Sequence, residues 1–204
     1  MKVDDLGALQ LDGLREVANI GAGHAATALS QLTRRRVMVD VPEVRILAVE
    51  EVGELAGDPE QPVGAVAMQV FGDAKGRVVQ IFPARTAVRL AETLLQREGI
   101  EFPDGFGEME QSALTEAGNI VTGAYLSALS DFLGMLLLPS VPELALDMAA
   151  AVLEATHLAS TETDTVLCLD THLRMDDEEP LRAHFMLLPA AGSLNAILRA
   201  IRLA

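Results

Sequence analysis

Basic residues are scarce in this chain: 15 Lys and Arg face 30 Asp and Glu, a formal net charge of −15. Such a balance opposes binding to nucleic acid phosphates, which depends on clustered cations. The one basic run, Arg34 to Arg36, follows a helical pattern and suits the negative end of a helix dipole. Cysteine occurs once, so no disulfide can form within the chain. Cys168 lies in the alternating run Thr165-Val166-Leu167-Cys168-Leu169, the profile of a buried strand thiol rather than a nucleophile. Long apolar stretches are missing too. Met135 to Leu138 and Met148 to Leu153 are far too short to span a bilayer, and Met1 to Leu11 lacks the basic start and apolar block of a signal peptide. A soluble, cytoplasmic protein with no membrane partner is expected.

Several chemistries lack their residues. His24, His157, His172 and His184 show no paired spacing for zinc, and no phosphate-binding Walker loop or Ser-His-Asp arrangement is legible. The cluster Asp176-Asp177-Glu178-Glu179 is without the alternating ligands of a calcium loop and reads as a solvated hairpin tip.

What is present is a repeat. Asp12, Glu16, Asn19 and Pro42 recur as Ser112, Glu116, Asn119 and Pro142, all shifted by 100 positions. Gly23 and Gly123 follow the same shift, as do Leu29-Ser30 and Leu129-Ser130. On a helix the first three positions of each set fall at i, i+4 and i+7, one stripe down one face. The opposing face is apolar, with Leu14, Val17, Ala18, Gly21, Ala25, Ala28, Leu29 and Leu32 in one copy. Leu114, Ala117, Gly118, Val121, Tyr125, Ala128, Leu129 and Phe132 make the other. A single Glu-x-x-Asn on a helix is ordinarily a solvated face. Asn is a weak helix former, so its return at the same place in both helices favours function. A duplicated ancestor that kept these residues for packing is the competing explanation.

The spacing Asp or Ser, three residues, Glu, two residues, Asn, twenty-two residues, Pro resembles the signature of the CheC family of chemotaxis phosphatases, related to CheX and FliY. The likeness covers nearly the whole chain. It implies an α/β (α+β) sandwich with a largely antiparallel sheet and two long repeat helices side by side. It implies hydrolysis of the aspartyl-phosphate on the response regulator CheY, with Asn19 and Asn119 orienting the attacking water. Glu16 and Glu116 would pair with a lysine of the regulator, and magnesium would belong to the regulator, leaving no cofactor of the chain's own. Asp12 and Ser112 would serve as helix-start or secondary interface residues, with Pro42 and Pro142 supporting the motif. The deamidase CheD is a further partner that the family suggests. Two complete motifs favour CheC over the one-motif, dimeric CheX pattern and allow a monomer. A non-catalytic module that holds the regulator, or a flagellar-switch-like protein, is the alternative.

Pattern alone divides the chain into pseudo-symmetric halves of one domain, about 1–100 and 101–204. Each holds a long helix, strands, a hairpin and a closing helix. Small residues at Gly21, Gly23, Ala25 and Ala26 predict close approach of another backbone. Pro42 predicts a bend or edge strand; Leu144 to Leu158 reads either as strand, by its counterpart in the first half, or as helix, by its alanine content, with a strand near Leu144 to Ala151 favoured.

Overall fold

A computed structural model describes residues 8–48, 51–52, 58–159, 165–176, 179–190 and 192–203. Helix α1 (Ala8–Thr33), strands β1 (Val37–Ala48), β2 (Pro62–Gly72) and β3 (Gly76–Pro83), and helix α2 (Ala84–Leu95) form the first half. The second contains α3 (Glu108–Leu133), β4 (Leu137–Pro139), β5 (Glu143–Met148), α4 (Ala149–Ala159), β6 (Thr165–Met175), β7 (Leu181–Pro189) and α5 (Ser193–Leu203). All seven strands join one antiparallel sheet in the order β1-β6-β7-β3-β2-β4, with β5 also pairing β2. The halves exchange edges: β1 pairs with the second half's β6, and β4 and β5 with the first half's β2.

Four helices cover one face. Leu14, Leu29, Leu90, Leu114, Leu126 and Leu198 pack there against Val66, Val78, Leu169 and Phe185. The other face carries a smaller cluster around Val63, Val79, Ile81, Val166, Cys168 and Met186, closed by Val152 of α4. Cys168 is buried as its pattern predicts, and burial pushes its thiol up to about 12. The sole tyrosine, Tyr125, is wedged between α1 and the sheet. Its ring meets Phe185 edge-on at 4.8 Å, and its hydroxyl lies 3.3 Å from Thr171 Oγ1.

Three sequence expectations need correction. The strand expected over Leu144 to Ala151 ends at Met148, and helix α4 starts at Ala149. A run of three alanines favours helix, and the N–H groups of Ala149 and Ala150 donate to the carbonyls of Gln61 and Pro59. Asp12 and Ser112 do not start their helices. Gly107 caps α3 in an extended conformation, and α1 is already helical at Ala8, so both residues lie inside. Leu32, placed on the apolar face, is 48% exposed. Each half contains its expected hairpin, β2-β3 and β6-β7, followed by its closing helix, α2 and α5; Asp177 and Glu178 lie outside the described residues.

Candidate functional site

Helices α1 and α3 run antiparallel in contact. Gly13 faces Phe132 and Gly21 faces Tyr125, where an added Cβ would lie 2.7 Å from the ring and 3.1 Å from Tyr125 Cα. The expectation of close backbone approach therefore holds at Gly21. It fails at Gly23, where a Cβ would meet nothing within 4 Å, and the same is true of Gly123. Asn19 is two residues from Gly21, about 200° around the helix, so it sits on the flank of α1 away from α3. Level with Ser127 in this register, it stands about eight residues, or about 12 Å of helix rise, from Asn119.

Glu16 and Glu116 are exposed, each one turn before its Asn, and neither makes an ion pair among the described residues. Asp12 is exposed and pairs with Arg15 at 3.6 Å, a surface contact of little energetic weight. Ser112 is exposed. Pro42 is exposed and Pro142 half-buried.

The two asparagines are both half-buried but differ in their bonding. Asn19 Nδ2 donates to the Arg15 carbonyl (2.9 Å) and the Val41 carbonyl (3.3 Å), while Oδ1 accepts from the Val41 N–H (2.9 Å). Val41 needs these partners. The β1-β6 register slips between Asp40 and Glu43, a bulge that sets Val41 and Pro42 against the single residue Thr171. Val41 points inward at 1% exposure, so its unpaired N–H and carbonyl would be costly. The amide of Asn19 stands in for a neighbouring strand. In the first half this gives the twenty-two-residue spacing a physical meaning: it is the length of chain that runs down α1, turns, and returns along β1 to the level of Asn19.

The second half meets the same problem differently. Pro139 pairs with Val70 and Glu143 with Ala67, so residues 140–142 form the equivalent bulge. Here Ser140 supplies the bonds: its N–H donates to the Gln69 carbonyl (2.8 Å), and its Oγ accepts from Gln69 N–H (3.0 Å) and donates to the Val141 carbonyl (2.8 Å). Val141 is turned outward, 81% exposed. Among the described residues the amide of Asn119 has no hydrogen-bond partner, and neither of its polar atoms is sealed from solvent. Beneath it, buried Gln80 donates Nε2 to the Gly118 carbonyl and to Thr122 Oγ1, fixing α3 on the sheet on either side of Asn119.

Sequence reasoning missed Ser140, Val141 and Gln80. A signal for the first was available in the repeat itself, where Ser140 stands at the position of Asp40. Among the described residues, no three His, Cys, Asp or Glu side chains gather as a metal site, and no helix is long and apolar enough to cross a membrane.

A family model described as CheC-like matches residues 9–46 and 109–145, the two helix-to-proline segments. The CheY-P phosphatase CheC of Bacillus subtilis (strain 168) is 35% identical over 195 residues, covering 94% of this chain and 93% of that protein. The crystal structure of Thermotoga maritima FliY superposes with a TM-score of 0.79 at 20% identity, over 97% of this chain and 98% of that one. The FliM middle domain from H. pylori gives 0.65 at 14% identity, over 97% and 99%. At these identities the two structures establish a shared fold.

Proposed function

The chain belongs to the CheC-like family, and on that footing we propose that it is a chemotaxis phosphatase that hydrolyses the aspartyl-phosphate of a CheY-type response regulator. The observation that carries this reading is the pair of exposed glutamates, Glu16 and Glu116. Each is one helical turn before an asparagine, at matching places on neighbouring helices, and neither carboxylate has an ion-pair partner among the described residues.

An asparagine has no titratable proton and cannot act as a general base; its amide can only direct a water. Phosphoryl transfer suits such a group. Its loose transition state needs little deprotonation of the nucleophile and much in-line alignment and charge stabilisation. The motif asparagine aligns the water, the glutamate pairs with a cation of the regulator, and the regulator contributes its own magnesium at the acyl phosphate. An exposed carboxylate that becomes desolvated on docking sets register as much as affinity.

The test follows loss of phosphate from a phosphorylated response regulator with wild type, with Glu16→Ala plus Glu116→Ala, and with Asn19→Ala plus Asn119→Ala. Wild type accelerates decay; the asparagine pair loses acceleration but still binds, whereas the glutamate pair loses binding as well. Full acceleration by the asparagine double variant would falsify water positioning. Binding by wild type without acceleration would instead identify a holding module.

A further inference from the structure

We infer that the two motifs are inequivalent: Asn119 is the water-positioning amide, and Asn19 is chiefly the clasp of the β1 bulge. This rests on the phosphatase reading and divides its labour. Asn19 already uses both N–H groups and one lone pair on its own chain, at Arg15 and Val41, leaving a single Oδ1 lone pair. To reach into a partner's cleft it would have to abandon Val41, stranding two backbone groups of a residue that is 1% exposed. Asn119 bears no such duty, because Ser140 and Gln69 satisfy the second bulge between themselves. Its amide is available to accept from one water hydrogen and donate elsewhere.

Two measurements on the full chain test this: phosphorylated-regulator decay and thermal melting, for Asn19→Ala, Asn119→Ala and the double variant, with decay measured well below every melting midpoint. Asn119→Ala should lose at least about tenfold more of the acceleration than Asn19→Ala, with a midpoint within about 1 °C of wild type. Asn19→Ala should melt lower by about 3–10 °C. Side-chain NH2 exchange by NMR reports the clasp without any activity: slow for Asn19, fast for Asn119 in the wild type. Equal rate losses with equal midpoints and equal exchange would overturn the inequivalence and leave the phosphatase reading standing. Undiminished acceleration in the double variant would overturn the inequivalence together with water positioning by either asparagine, whereas absence of acceleration by the wild type would overturn the phosphatase reading itself.

Discussion

Two glycines two positions apart on α1 carry opposite instructions. At Gly21 an added methyl would enter the space of Tyr125 Cδ1, Tyr125 Cα and the Ala124 carbonyl, two of them backbone atoms that cannot swing aside. Gly21→Ala should therefore destabilise by about 1–3 kcal/mol despite its better helix propensity. Gly23 and Gly123 face open space, so alanine there meets no obstacle and recovers helix propensity. Gly23→Ala and Gly123→Ala should each raise stability by about 0.5–1 kcal/mol in chemical denaturation. The sequence marks all three as small residues on a helix. Only the crossing of α1 and α3 separates the glycine that packing demands from the two it does not.

At the scale of elements, the long helices, both hairpins and the duplicated order were legible because each is announced locally, by apolar spacing, turn residues and the strict shift of 100. What escaped was set by neighbours distant in sequence. Alanines 149–151 became helix through partners at Pro59 and Gln61, and the different fates of Val41 and Val141 depend on which side chain serves each bulge. The motif residues were legible as a pattern, but the bonding of Asn19 to a strand twenty-two residues away was not, since no local rule relates a helix amide to a bulge. Gln80 illustrates the same dependence. In β3 it reads as an ordinary polar residue, yet it is 2% exposed and holds α3 by Gly118 and Thr122. Gln80→Leu should lower unfolding stability by about 1–3 kcal/mol. By loosening the register of α3 under Asn119 it should also lower turnover more than regulator binding, separable by titration against decay rate.

For the molecule as a whole, pH enters through the exterior face of the sheet. His184 is buried, with Nδ1 3.4 Å from Asp170 Oδ1, and neither atom has a partner of good hydrogen-bond geometry. Burial pulls its imidazole below the ordinary 6.5; Asp170 opposes the shift, and Arg45, Arg182 and His172 add to it. The folded state thus disfavours the proton that the unfolded chain accepts. Stability from this group is level above about pH 7 and declines as pH falls through the ordinary value towards the lower folded one. Denaturation midpoints should therefore drop between about pH 7.5 and pH 5.5, and the drop should be shallower in His184→Gln.

The bulge at Val41 and Pro42 has one more consequence, which concerns company rather than chemistry. β1 is the outermost strand on its side of the sheet, and a straight twelve-residue margin would offer other copies a row of open peptide groups to extend. A proline without an N–H, set in a slipped register, interrupts that row, and the side chain of Asn19 occupies the peptide group before it. The same few atoms that complete the fold at this edge keep it from serving as a template for fibrillar growth.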